Sequence, residues 1–250
     1  MRTASILALL LLAACVTDEP LGVSIRARDF SAAAAGDVTI TRGGTPGSGT
    51  RLELIDDLDL EGRDQGELAA DVAFGGVRLG AAWLPLVFDG KERLDQTELF
   101  HGTTYPAGNR VESDLQLTTW KLRLDARVHE DHDSELRLGV GAYWWTLDMR
   151  LNDLDAQISD ERRFSRLLPA ISASGSWRFA PGWSADVDAA FASIDQGRRL
   201  WDLDASARYR IDRWVTLALG LRFLRYELNE DTNDGTIDVL GPTLGFEFRL

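Results

Sequence analysis

The chain has 250 residues and a formal net charge of −13, from 40 acidic against 27 basic side chains. That balance excludes nucleic acid as a partner, because phosphate-backbone affinity comes from clustered Lys and Arg. Hydrophobic residues make up 44% of the chain, and past the N-terminus no apolar run approaches the roughly 20 residues of a membrane helix. A β-barrel crosses a membrane without such a run, since its strands alternate lipid-facing and lumen-facing residues. One all-β domain is the organisation this length favours.

Arg2 supplies a short basic region, residues 6–12 an apolar one, and Leu12-Ala13-Ala14-Cys15 follows directly. Residues 1–14 therefore read as a lipoprotein-type signal peptide, with a barrel over 15–250. The four residues resemble a bacterial lipobox, which implies lipidation of Cys15 at the start of the mature chain. The alternative is ordinary cleavage after a small residue. Val16 stands where an aspartate favours inner-membrane retention, so the resemblance implies the outer membrane. With one cysteine, no intramolecular disulfide can form.

Beyond the signal, apolar residues recur with period two, the signature of strands with two unlike faces. The N-terminal stretches 23–27, 38–40, 52–60, 68–74 and 77–83 alternate weakly. The pattern is clearest where Trp120, Leu122, Leu124, Ala126 and Val128 alternate with Lys121, Arg123, Asp125 and Arg127. Burying the second set inside a soluble sandwich would be costly. Comparable strands follow around Leu138, Ile171, Val187, Leu203, Leu219 and Phe246. With 52–74 counted as one interrupted strand, the chain gives an all-β, antiparallel transmembrane β-barrel of about ten strands, with eight or twelve as alternatives.

Connections fall into two classes that alternate along the chain. Short ones lie at Gly75-Gly76, 129–133, 180–182 and Asp212-Arg213; long or polar ones at 43–49, 89–110, 152–162, 196–198 and 229–235. The short set is assigned to the periplasm and the long set to the cell exterior. Alternation alone leaves a soluble, lipocalin-like periplasmic barrel as the inside-out alternative. Apolar stretches of about nine residues match a tilted membrane strand. Aromatics flank the short turns, Phe179 with Trp183 and Tyr209 with Trp214, as an interfacial girdle would.

These features resemble the small, uncharacterised outer-membrane β-barrel proteins of Gram-negative bacteria. The last strand, Gly245-Phe246-Glu247-Phe248-Arg249-Leu250, is similar to the C-terminal signal read by the barrel-assembly machinery, although it ends in Leu250 where that signal usually has Phe or Trp. The stretch 100–117, with Gly102-Thr103-Thr104-Tyr105-Pro106-Ala107-Gly108, is similar to a loop of such families. The resemblance implies a fold, a location and contact with outer-membrane lipids. It implies no active site.

Enzymes of this fold include proteases and lipid A hydrolases, so the three histidines matter. His129-Glu130-Asp131-His132-Asp133 lacks the helical spacing of a zinc motif and falls in a predicted turn, where solvated charge is expected. His101 stands near Glu98 in a long loop, with no serine nucleophile identifiable beside it. No catalytic, cofactor-binding or metal residue is assigned. Arg26, Arg28, Arg78, Lys121, Arg123, Arg127, Arg137, Arg208, Arg210, Arg222 and Arg249 are placed in a narrow lumen with Asp71, Asp125, Glu135, Asp186, Asp188, Asp202, Asp204 and Glu247, where they are expected to pair.

The leading function is a non-enzymatic outer-membrane barrel with an ion-paired lumen. Its acidic loops (Asp153, Asp155, Asp160, Glu161, Glu230, Asp231, Asp234) would bridge divalent cations to lipopolysaccharide phosphates. A porin-like small-solute channel and an envelope lipid-modifying hydrolase are the alternatives.

Overall fold

The computed structural model describes residues 21–42, 48–194, 197–230 and 233–250. The signal 1–14, Cys15, Val16, Asp231 and parts of the loops at 43–49 and 196–198 lie outside the described residues. The strands are β1 (Gly22–Ser31), β2 (Ala33–Thr39), β3 (Arg51–Glu53), β4 (Glu61–Gly62), β5 (Asp64–Phe74), β6 (Val77–Arg93), β7 (Glu98–Phe100) and β8 (Thr103–Tyr105). They continue as β9 (Arg110–Glu130), β10 (Ser134–Asp153), β11 (Ile158–Ala180), β12 (Trp183–Ser193), β13 (Arg198–Arg210), β14 (Val215–Glu230) and β15 (Asn233–Arg249).

Every pairing is antiparallel, and β15 returns to β1, with Ser24 opposite Arg249 and Phe30 opposite Thr243. β2 continues the same register on β15, from Ala33 opposite Leu240 to Thr39 opposite Asp234. β1 and β2 thus form one stave, as do β4 and β5 on β6. Ten staves close the barrel. The weak alternation at 23–27 and 38–40 marks the two ends of the first stave.

The expected strand over 52–74 is a correction. Only β4 and β5 form a stave there. After the short β3, residues 54–58 turn inward and bury Leu52, Leu54, Leu58 and Leu60. Two close backbone approaches hold this plug to the wall. Leu54 N donates to Gly36 O at 2.9 Å, at a residue whose φ of 117° suits only glycine. A Cβ on Gly90 would lie 2.0 Å from Leu58 O, an oxygen that also accepts from Ser113 Oγ at 3.1 Å.

Several strands run past their expected ends. β6 reaches Arg93, β10 reaches Asp153 and β11 begins at Ile158, so the exterior loop at 152–162 shrinks to a four-residue turn, 154–157. The reason is that the inward parity stays constant along each stave while the apolar residues pass from the outward to the inward set. On β9, Leu122 (54% exposed) points outward and Asp125 (2%) inward, whereas one turn of the pattern higher Leu115 and Leu117 are fully buried. On β10 the change falls between Trp144, which is exposed, and Trp145, which is buried. It falls between Trp83 and Leu84 on β6, between Leu200 and Trp201 on β13, and between Phe223 and Leu224 on β14.

The barrel therefore has two storeys. Toward the short turns the outer wall is apolar and the inside charged. Toward the long loops the outer wall is polar and the inside apolar. The upper core joins the plug leucines to Phe88, Trp145, Leu147, Tyr226 and Val239, with Trp145 edge-on to Tyr226 at 5.8 Å between ring centroids. A row of tryptophans marks the boundary, Trp83 and Trp144 both standing opposite Trp120.

Candidate functional site: a charged basin open at the short-turn end

Inward side chains of the lower storey form an ion-pair lattice across the barrel. Arg222, 2% exposed on β14, donates Nε and Nη2 to the two oxygens of Asp202 on β13, each at 3.0 Å, and Nη1 to Glu67 on β5. Asp202 also accepts from Lys121 Nζ and from Tyr143 OH, the latter at 3.0 Å. Arg28 reaches from β1 to Asp204 at 2.6 Å and to Glu67 at 3.5 Å. Arg123 Nη1 bonds Asp188 at 2.6 Å, Arg26 bonds Asp71 at 2.8 Å, and Arg78 bonds Asp125 at 2.9 Å. Several of these pairs join strands that are not neighbours in the sheet, so they brace the wall as well as neutralise charge.

Glycine at inward positions makes room for the lattice. A Cβ on Gly139 would lie 2.0 Å from Asp125 Oδ1 and 2.6 Å from Ser172 Oγ.

Every lumen residue expected from the sequence lies on the inner wall. Glu67 was missed, because β5 alternates weakly, yet it binds both Arg28 and Arg222. The expectation of general pairing is corrected at Arg210, an exposed residue whose guanidinium bonds no side chain among the described residues. The expectation of a lumen filled by ion pairs is corrected too, since the lattice fills one storey and the apolar core the other. Between the lattice and the short turns lies a cavity of about 600 Å³, from Glu67, Asp202 and Arg222 down to the turn residues Asp131–Asp133 and Leu250.

The remaining candidates are scattered. His129 Nε2 lies 3.3 Å from Asp131, and His132 is almost fully exposed beside Asp133. Among the described residues no three His, Cys, Asp or Glu side chains converge as a metal site. Asp131 accepts from the amides of Asp133 and Ser134 and from the Ser134 hydroxyl; these bonds, with His129, hold its carboxyl far below the ordinary aspartate range.

At the opposite end His101 does not meet Glu98, which pairs with Thr50 Oγ1. Instead His101 Nδ1 lies 3.1 Å from Asp160 Oδ1, and Thr103 Oγ1 donates to Asp160 Oδ2 at 2.8 Å. His101 sits at a φ of 50°, in the turn joining β7 to β8. Below it, burial and then the Asp160 charge push the Tyr105 phenol up to about 12. The expected cation-bridging acids are engaged within the protein: Asp153 with Asn109, Asp155 with Arg110, Asp160 with His101, and Glu161 with Arg150. Asp234 is exposed, and the Glu230 side chain lies outside the described set.

A closed ten-stranded antiparallel barrel, apolar outside and charged inside over one storey, is a barrel of the outer-membrane type. A solved structure shares this fold. The chain is similar to the outer-membrane protease OmpT of Escherichia coli, with a TM-score of 0.57 and 10% identity over 92% of this chain and 97% of that one. Further matches are Ail, the attachment invasion locus protein of Yersinia pestis (TM-score 0.44, 12% identity, 93% and 100% covered), and Neisserial surface protein A (0.38, 8%, 92% and 99%). At such identities the likeness to OmpT is one of fold alone. No family model and no curated protein sequence matches the chain.

Proposed function

We propose that the chain is a non-enzymatic barrel of the bacterial outer membrane that is sealed, with its charged basin open to the periplasm. Lipid covers the lower belt, where Leu122, Val140, Ile171 and Leu219 are each more than half exposed. A soluble, lipocalin-like barrel would turn these residues inward. The short turns then face the periplasm and the polar-walled upper storey stands in the outer leaflet headgroups, where it meets lipopolysaccharide. Export through the 1–14 signal, a lipid on Cys15 and recognition of β15 by the assembly machinery belong to the same proposal.

The observation that carries it against a channel is the apolar core of the upper storey. Water and ions entering the basin meet the Arg222–Asp202–Glu67 layer and then a dry stack of Leu54, Leu58, Phe88, Trp145 and Tyr226. Apolar space of this kind excludes ions, because desolvating a charge there has no compensating partner. The test is planar-bilayer recording of the refolded barrel. Membranes that hold the protein, verified by its gel mobility before and after boiling, are expected to carry no unitary current. A steady ohmic conductance from the intact chain would overturn the sealed reading.

A further inference from the structure

The mouth of the basin is electrically lopsided. On one side, the connection after β9 and the start of β10 place Glu130, Asp131, Asp133 and Glu135. Beside it, a smaller recess of about 230 Å³ is lined by Arg178, Arg208, Arg210 and Arg249, with Ser184 and Thr216 between them and no carboxylate in its wall; Arg178 forms its border with the acidic turn, where its amide donates to the Asp133 carbonyl. Strand register builds this recess. Ser184 stands opposite Arg208, Arg210 opposite Thr216, and Thr216 opposite Glu247, so β12 to β15 bring the groups side by side on the inner face.

Two carboxylates lie behind the arginines, and both are taken. Asp186 and Glu247 hold Arg208, and Glu247 also accepts from Arg249 Nε at 2.7 Å. Among the described residues the Arg178 guanidinium donates to the carbonyl of His132 at 3.2 Å and that of Arg210 bonds no side chain; both arginines are exposed at the mouth. Two of the four guanidiniums of the recess thus hold no carboxylate, in a chain whose net charge is −13. Elsewhere in the lattice inward arginines have carboxylate partners; here two planar forks point into a recess without one.

We propose that this recess is an anion site that takes a phosphate group, with Arg178 and Arg210 supplying the open guanidinium forks and Ser184 and Thr216 the hydroxyls. Two open forks suit a phosphate monoester, which carries about −1.5 to −2 at neutral pH, better than a single carboxylate. Arginine forks also suit tetrahedral oxyanions through paired N–H donors. Two sources offer that chemistry at this place: a soluble phosphorylated compound entering the basin, and the headgroup of a phospholipid folding over the rim, where Trp183 joins the recess to the outer wall. The inference rests on the basin being open at the short-turn end, not on whether the barrel conducts.

The test uses the full-length barrel in a nonionic detergent, titrated with inorganic phosphate, glycerol 3-phosphate and acetate by calorimetry. Saturable binding of the phosphates, with acetate about tenfold weaker, is expected. R178Q/R210Q is expected to weaken phosphate by about tenfold or more, while R150Q on the outer wall leaves it unchanged. Should the double variant lose its heat-modifiable gel mobility, Arg210→Gln alone replaces it, since that side chain gives up no internal bond. The lipid arm counts phospholipids retained by native mass spectrometry. Retention that falls in the variant without soluble phosphate binding assigns the site to a headgroup. Binding of neither, or binding unaffected by the arginine substitutions, would overturn the proposal.

Discussion

An arginine placed along one face of β9 measures where the two storeys meet. From Trp120 to Val128 the strand makes eight steps. At about 3.3 Å per residue and a tilt of about 40°, they span roughly 20 Å of depth, close to the apolar band of outer-membrane barrels. Leu124 sits at the centre of that span, opposite Val140 and Leu79 on the neighbouring strands. Leu124→Arg is expected to cost about 2–4 kcal/mol, the penalty for a cation at the bilayer midplane. Gln116→Arg has the same outward parity but lies above the tryptophan row, opposite Asp148 and Val87. Its expected cost is about zero. The assay is urea unfolding of the barrel in phospholipid vesicles, read by the folded and unfolded gel bands. Equal costs at both positions, or none at Leu124, would refute the assignment of the lower belt to lipid.

Two other perturbations probe the interior and the short-turn rim. Arg222→Met removes the cation that joins Glu67 to Asp202; because Lys121, Tyr143 and Arg28 still reach those acids, the expected loss is about 3 kcal/mol, at the low end for breaking a buried pair. Chemical denaturation checks it, and an unchanged midpoint would mean that water already screens the lattice. Asp131 has a pKa lowered first by the Asp133 amide and then by the Ser134 hydroxyl and amide. A lowered carboxylate pKa makes its contribution complete above the ordinary aspartate range near 3.9 and lost as pH falls through the lowered value. Protection of the Asp133 and Ser134 amides against hydrogen exchange, relative to the intrinsic rate at each pH, should therefore hold down to about pH 4 and fall below it. Asp131→Asn should remove that pH dependence, and an identical profile in the variant would show that another group controls the turn.

The sequence makes the lower storey legible because lipid and charged lumen impose opposite demands on successive residues. Leu122 against Arg123, or Leu203 against Asp204, states the two faces without any structure. The apolar stretches also stop near nine residues, where the belt ends. The upper storey is equally periodic, but its phase is inverted, and an inverted phase looks like the end of a strand. Trp144-Trp145 is the plainest case. The first ring faces outward and the second faces the core, so two adjacent apolar residues read as a break where the strand continues to Asp153. The same holds at Trp83-Leu84 and Phe223-Leu224.

That inversion has one physical cause. In the proposed membrane placement the outer medium below the tryptophan row is apolar and the lumen is lined by ion pairs. Above it the outer medium is wet, so Asp148, Arg150, Glu161 and Arg163 turn outward while Leu147, Met149 and Phe164 fill the inside. In that placement, a run of adjacent apolar residues recurring at the same height on several staves coincides with the edge of the lipid belt. The plug is the part no periodicity could announce. Leu52, Leu54, Leu58 and Leu60 alternate as a strand would, yet the upper lumen needs apolar filling that the staves alone do not supply. Bringing residues 54–58 inward between β3 and β4 satisfies that need and leaves the barrel closed at one end and open at the other.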